Sequence, residues 1–201
     1  MRFGRTAPAA LAALILTAAC KSTGRQTSTT SAPPAALVAQ ARPIGRGARF
    51  QPPSRGPVIG TCDRGLGPRE GVHIEVFAAN RVVLVPARIG TRPPRSFSAG
   101  RISSARCYGD LVTLDPTGVV LVRPGVRPVL ADLFRAWGQP LSARRIASFP
   151  ASGGARVVVF VNGRRWPGAP GRVPLARHWE IVLEVGLHVP PHRSYTFPPS
   201  T

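Results

Sequence analysis

Histidine and acidic side chains are the residues of this sequence that could bind a metal ion. The four histidines are His73, His178, His188 and His192. His73 begins one predicted strand and His178 precedes another, so both rings could converge on one ion if the two strands are neighbours. The acidic residues that could complete such a site are Glu75, Glu180 and Asp115. The alternative, which the sequence favours, is that each histidine lies at the surface without a ligand role.

The other two histidines are less suited to a shared site. Pro190 and Pro191 separate His188 from His192 and exclude a helix that would present both rings on one face. No metal ligand is therefore assigned, and His73 and His178 stand only as candidates.

Catalytic motifs are absent from the sequence. The chain has only 8 acidic residues, and no two of them form a motif of paired carboxylates. Ser152 is not in a GxSxG motif, and neither a glycine-rich phosphate loop nor HExxH occurs. The sequence predicts a protein that is not an enzyme and needs no cofactor.

The first twenty residues resemble the signal peptide of a bacterial lipoprotein. Arg2 and Arg5 precede an apolar run over 7–19, which is too short to span a bilayer and is followed at once by Cys20. Cleavage after Ala19 and acylation of Cys20 would anchor the chain to the extracytoplasmic face of the cell membrane. The alternative is ordinary secretion. Residues 20–56, rich in Ser, Thr, Pro and Gly, are predicted to form the lipidated cysteine and a flexible tether to one domain over 57–201.

Cys62 and Cys107 remain as a matched pair in an oxidising compartment. A disulfide between them would stabilise the fold by roughly 4 kcal/mol. A metal or catalytic role is the alternative, but neither cysteine belongs to a CxxC motif or has a histidine within a few residues.

The formal net charge is +19, and Lys21 is the only lysine. Attraction to anionic cell-wall polymers or lipid head groups is one explanation. The arginine codon preference of a GC-rich genome is the other, and the composition favours it. Nucleic acid is not an expected partner because few aromatic residues stand between the arginines. The arginines crowded before Cys107 are the candidate anion-binding residues: Arg88, Arg92, Arg95, Arg101 and Arg106.

The predicted elements indicate an α+β fold. Strands are predicted over 73–77, 81–86, 111–114, 119–122, 156–161 and 179–185, a loop over 90–100, and a Pro-rich extended tail over 188–201. Pro128 begins a helix that ends at Gly138. One short helix cannot cover a large parallel sheet, so we expect a small mixed or antiparallel sheet of about six strands with the helix on one face. The order of elements in the later part is that of a β-grasp fold.

From Cys62 to Pro199 the chain resembles a group of secreted or membrane-anchored bacterial proteins of uncharacterised function. That group carries an HxHxH motif, an HTHDxTGxIHIE motif and a WGQPLS motif. The matching segments here are His73, Cys62, Cys107, Asp115-Pro116-Thr117-Gly118, Trp137-Gly138-Gln139-Pro140-Leu141-Ser142, Val161-Asn162-Gly163 and Tyr195-Thr196-Phe197-Pro198. The resemblance implies paired cysteines and a shared α+β fold.

The departures from that group bear on function. Where its histidines would fall, this chain has Arg69, Gly71, Val112, Leu114 and Leu121, and only His73 is kept. The histidines of the group suggest transition-metal binding, so a site of that kind is expected to be lost or rebuilt here. The sequence predicts a lipid-anchored envelope protein with a non-catalytic binding or structural role. The alternative is a degenerate relative of a metal-binding envelope protein, with residual affinity near His73.

Overall fold

The computed structural model describes residues 42–199. The predicted signal peptide, Cys20 and most of the predicted tether lie outside this range. In chain order, the elements are β1 (Glu70–Ala78), β2 (Arg81–Val82), β3 (Thr91–Ser98), β4 (Arg101–Tyr108), β5 (Leu111–Val112), β6 (Val119–Val122), α1 (Leu130–Trp137), β7 (Leu141–Ser142), β8 (Arg145–Ile146), β9 (Phe149–Pro150), β10 (Val158–Val161), β11 (Arg164–Arg165), a 3-10 helix (Pro170–Arg172) and β12 (Glu180–Val185). Within 42–199, no helix is both long and apolar enough to cross a bilayer.

Seven strands form one mixed sheet. This agrees with the predicted α+β class and its mixed or antiparallel sheet of about six strands. The strand order is β11-β10-β12-β1-β6-β5, and β2 also pairs with β1. β1 runs parallel to β12 and antiparallel to β6 and β2. The order β2-β1-β12-β10-β11 around a central parallel pair is that of a β-grasp. The likeness therefore depends on β1, the first strand of the domain, and not on the later part alone.

Helix α1 covers one face of this sheet. Leu130, Leu133, Phe134 and Trp137 are buried and pack in one cluster with Val72, Ile74 and Val76 of β1. The helix ends as predicted at Gly138, whose φ of 78° is a left-handed conformation that favours glycine. Burial of this apolar stripe is the main force that holds the helix on the sheet.

The predicted loop over 90–100 is wrong, because β3 and β4 form a hairpin there. The strand pairing breaks between Arg92 and Arg95, so the ladder skips Pro93 and Pro94, which have no N–H to donate. Both prolines are exposed in a two-stranded sheet, where a strand can tolerate them. The loop was predicted from the Pro, Arg and Ser content of residues 90–100, which does not show that an exposed two-stranded sheet can hold these prolines.

The domain also extends before the predicted boundary at residue 57. The Phe50 ring packs against the core, and its carbonyl accepts a hydrogen bond from Leu84 N–H. The Trp137 indole Nε1–H donates to the Pro52 carbonyl at 3.1 Å. The described part of the predicted tether, residues 42–56, is therefore packed on the domain. Its few apolar residues lack a repeat that would have marked them as structured.

The opposite face of the central sheet carries the polar side chains. Alternation along β1 and β12 places His73, Glu75, Glu180 and Glu184 on this face, together with Phe77 and Val182. Residues 188–199, which we name the C-terminal tail, lie over it: Val189 is buried in one cluster with Phe77 and Val182. The tail, rather than a helix, covers the second face.

Candidate functional site

The parallel pairing of β1 and β12 creates the site. The register sets His73 directly opposite Glu180 and Glu75 opposite Val182. Because side chains two residues apart on a strand share a face, Glu75 points to the same side as His73. One ligand atom from each of His73, Glu75 and Glu180 lies within 4.8 Å of the others. From the sequence, His73 is a candidate and Glu75 and Glu180 are among the acidic residues that could complete a site, and the structure brings these three together.

His73 is held by two hydrogen bonds, one at each ring nitrogen. Its Nε2 lies 2.9 Å from the Thr117 carbonyl oxygen, and its Nδ1 lies 2.7 Å from Glu180 Oε2. A carbonyl can only accept, so Nε2 carries a proton and donates it. Nδ1 therefore faces the carboxylate, and the 2.7 Å contact is made through a single shared proton.

Glu180 is a carboxylate in the interior of the protein. It is 1% exposed, and its Oε1 has no hydrogen-bond partner among the described residues. Burial raises the pKa of Glu180, although the hydrogen bond and the charge of His73 act in the opposite direction. One oxygen of this carboxylate is thus paired and the other is left without a donor.

The C-terminal tail contributes two residues to the site. His192 Nδ1 lies 2.7 Å from Glu75 Oε2. The Tyr195 ring stacks on His73, with centroids 3.8 Å apart and planes inclined by 12°. Burial raises the pKa of the Tyr195 hydroxyl, and the nearby Asp115 and Glu180 act in the same direction. Neither His192 nor Tyr195 was predicted at this site from the sequence.

A cavity of about 340 Å³ opens beside Tyr195. Val112, Leu114 and Leu121 pack with Tyr195 in one apolar cluster, and Leu114 and Leu121 also line the cavity. Aliphatic side chains offer no donor atom to a metal. The three aliphatic side chains therefore supply no metal ligand on this side of Tyr195.

His178 does not join His73, contrary to the arrangement considered from the sequence. Its ring stacks on Phe197 with centroids 4.7 Å apart, and its backbone N–H donates to the Gly71 carbonyl. His178 lies two residues before β12 begins, so it lies outside the β1–β12 pairing that places Glu180 opposite His73. Asp115 is likewise engaged elsewhere, by Arg101 and by the Thr117 hydroxyl.

A second histidine–carboxylate pair lies further along β12. His188 Nδ1 is 2.7 Å from Glu184 Oε1, and the Val189 backbone N–H donates to Glu184 Oε2 at 2.9 Å. Both oxygens of Glu184 are therefore satisfied, unlike those of Glu180. No further metal-ligating group joins this pair among the residues that the structure describes.

Four of the five candidate anion-binding arginines lie on the β3–β4 hairpin, and Arg88 lies just before it. The guanidinium of Arg88 stands over the Phe97 ring at 5.2 Å. Burial lowers the pKa of Arg95, and repulsion from Arg88 adds to this effect. Arg95 donates to the hydroxyl and the carbonyl of Thr91. Arg101 is neutralised by Asp115, so it is not a free cation as the sequence suggested.

The predicted pairing of Cys62 with Cys107 is confirmed, with a Cα–Cα distance of 5.2 Å. The bridge ties β4 to the segment before β1, and a hydrogen-bonded pair between Asp63 and Tyr108 flanks it. It therefore fastens the arginine-bearing hairpin to the rest of the domain.

No protein-family model matches this sequence, and no curated protein or solved structure is detectably similar to it.

Proposed function

We propose that this chain is a non-catalytic binding protein of the bacterial cell envelope, anchored by lipid at Cys20, whose basic exterior contacts anionic envelope polymers or lipid head groups. The proposed localisation is based on the first twenty residues of the sequence. The binding role is supported by the distribution of charge over the folded domain.

The observation that carries this proposal is the placement of the carboxylates. Glu75, Glu180 and Glu184 face histidines beneath the tail. Among the ion pairs within residues 42–199, the four aspartates pair with Arg101, Arg123 and Arg135. Since the chain has 27 Lys and Arg residues against 8 Asp and Glu, acidic side chains are far too few to neutralise the arginines. An exterior of this kind attracts polyanions over about a Debye length.

The hairpin β3–β4 concentrates that charge. Arg92 pairs with Cys107 and Arg95 with Ala105, so Arg106 lies between the two partner positions on the opposite strand. Arg92 and Arg106 are exposed, and neither makes an ion pair or side-chain hydrogen bond within residues 42–199. Side chains alternate along β4, so Arg106 points to the face opposite that of Cys107 and Arg92. The proposed patch therefore consists of the exposed arginines Arg88, Arg92 and Arg106 around the hairpin, which would meet phosphate groups.

The experiment uses residues 20–201 with Cys20→Ser, the processed form without its lipid. Binding to phosphatidylglycerol vesicles, phosphatidylcholine vesicles and a poly(glycerol phosphate) polymer is measured by co-sedimentation. We expect binding to the anionic partners only, weakened in R88Q/R92Q/R106Q and lost between about 0.1 M and about 1 M salt. The control R164Q/R165Q/R172Q makes the same charge change around β11, at the other edge of the central sheet. Equal losses in both triple variants would contradict a specific patch, and binding to neither anionic partner would refute the proposal.

A second candidate function is the binding of a transition-metal ion near His73. The contact of His73 with Glu180 favours it, because a buried imidazole beside carboxylates is a set of donors suited to such ions. Metal content of the purified chain and titration with Zn²⁺ test this function. Stoichiometric binding that is lost in His73→Ala supports it, and no binding above background refutes it.

A further inference from the structure

We propose that a divalent transition-metal ion is held by His73 Nδ1 and the carboxylates of Glu75 and Glu180, and that the C-terminal tail closes over it. This inference rests on the second candidate function and deepens it by naming the ligands and their coupling to the tail.

The spacing of the three ligand atoms suits a small cation. In a tetrahedral zinc site with bonds of about 2.0–2.2 Å, neighbouring ligand atoms stand about 3.3–3.5 Å apart. His73 Nδ1 and Glu180 Oε2 are 2.7 Å apart, and the three ligand atoms lie within 4.8 Å of one another. An ion that replaces the shared proton would require these atoms to move by about 1 Å or less. Such movements are within the reach of side-chain torsions.

The imidazole is already oriented for an ion. Nε2 donates to the Thr117 carbonyl, which leaves Nδ1 directed toward the two carboxylates. A backbone carbonyl that fixes the other ring nitrogen is the usual support of a histidine ligand. The stacked Tyr195 ring covers one face of His73 and restricts its rotation.

Glu180 Oε1 is the independent observation that points to a ligand, because it is buried and has no hydrogen-bond partner within residues 42–199. Burial of a polar atom without a partner is unfavourable, and an ion bound to the carboxylate would remove this cost. Glu184, four residues further along the same strand, has both oxygens occupied by His188 and by Val189 N–H. The two carboxylates share a strand and a face, so the difference between them is local to the proposed site.

Charge also favours an ion. Glu75 and Glu180 are close enough for like charges to repel, and a divalent cation balances both carboxylates while His73 stays neutral. Arginine does not supply this charge, because no guanidinium forms an ion pair with either carboxylate among the described residues.

Two of the three proposed ligands touch the tail. His192 Nδ1 lies 2.7 Å from Glu75 Oε2, and the Tyr195 ring stacks on His73. Contacts that position ligands typically contribute about 10–100-fold to metal affinity. Since linkage is reciprocal, bound metal should stabilise the docked tail as much as the docked tail stabilises the metal.

The test uses residues 20–201 with Cys20→Ser, because this substitution removes a thiol that could bind the ion. The protein is titrated with Co²⁺, and binding is followed by the visible absorption bands of the ion. We expect one equivalent to bind, with affinity about 100-fold or more weaker in Glu180→Gln and Glu75→Gln, and about 10-fold or more weaker in His192→Ala. Glu180→Gln keeps a hydrogen bond to neutral His73, so its effect reports lost charge rather than lost structure. His188→Ala is the matched control, since it breaks a tail–strand contact that does not touch a proposed ligand, and we expect a smaller loss of affinity than in His192→Ala. Far-ultraviolet circular dichroism of each metal-free variant checks that it folds.

The outcomes separate the two claims. Binding that depends on His73 but not on Glu75 or Glu180 would overturn the proposed ligand set and leave the second candidate function standing. Binding that depends on all three ligands but not on His192 would overturn the coupling to the tail. No binding of Co²⁺ or Zn²⁺ to the parent chain would overturn both the function and the inference.

Discussion

His73 and Glu180 face each other across the parallel pair β1–β12, and their side chains meet at 2.7 Å in a region where both are less than a tenth exposed. The two residues are 107 positions apart in the chain. Only the parallel register joins them, so the site exists because the first and last strands of the domain are neighbours. The same register turns Glu75 toward the pair.

Removal of one member of this pair should destabilise the protein. His73→Leu leaves the Glu180 carboxylate buried without a partner, so we expect a loss of about 3–5 kcal/mol in the free energy of unfolding, measured in urea without added metal. The double variant His73→Leu/Glu180→Leu removes both polar groups and should recover most of that loss. A double variant no more stable than His73→Leu would contradict the interpretation of a buried pair.

Gly118 should be intolerant of a side chain. Its φ is +84°, and an added Cβ would lie 2.5 Å from the Ile74 carbonyl oxygen and 3.1 Å from His73 Nε2. Gly118→Ala should therefore lower the free energy of unfolding by more than about 1 kcal/mol and weaken any ligand binding at His73. Gly125→Ala is a close control, because φ there is +83° and no atom lies within 4 Å. Equal losses in the two variants would mean that backbone strain alone is responsible.

The disulfide should contribute a large part of the stability. The cysteines are 45 residues apart, and the loop they close predicts a stabilisation of about 4 kcal/mol. Denaturant unfolding of Cys62→Ala/Cys107→Ala, compared with the oxidised chain, measures it. A loss below about 1 kcal/mol would show that the bridge is not needed to hold the β3–β4 hairpin on the domain.

Ionisation of Tyr195 should release the tail. Because burial raises its pKa above the ordinary value of 10.0, the docked tail binds the hydroxyl proton more tightly than the free tail does. Docking is therefore fully favoured below about pH 10 and weakens as the pH rises through the raised pKa. Ultraviolet titration in the presence of a chelator follows this step, with Tyr195→Phe leaving only the signal of Tyr108. The difference between the titrations of the parent chain and of Tyr195→Phe is the signal of Tyr195. A pKa of Tyr195 at or below its ordinary value of 10.0 would contradict a docked tail.

The elements with a clear period were predictable from the sequence. Alternation marked β1 and β12, the 3.6-residue spacing of Leu130, Leu133, Phe134 and Trp137 marked α1, and Asn162-Gly163 marked the β10–β11 turn. The β3–β4 hairpin was missed because Pro93 and Pro94 are typical of loops. The three two-residue strands β7, β8 and β9 were missed because so short a segment has no period.

The site was predictable only in part. His73 was a candidate because it begins a predicted strand, and Glu75 and Glu180 were among the acidic residues that could complete a site. The expected partner ring, His178, is not part of the group that the structure brings together. Whether the strands touch depends on strand order, which alternation does not determine. His192 and Tyr195 lie in a tail without regular structure, and their positions follow from packing against the sheet rather than from any local pattern.

The most direct test of the proposed metal site is anomalous diffraction at the zinc edge from crystals of the chain grown with Zn²⁺. We expect a peak about 2.0–2.2 Å from His73 Nδ1 and from carboxylate oxygens of Glu75 and Glu180, beneath an ordered tail. A peak only at His188 and Glu184, or no peak with His73 and Glu180 still hydrogen-bonded, would contradict a metal site beneath the tail.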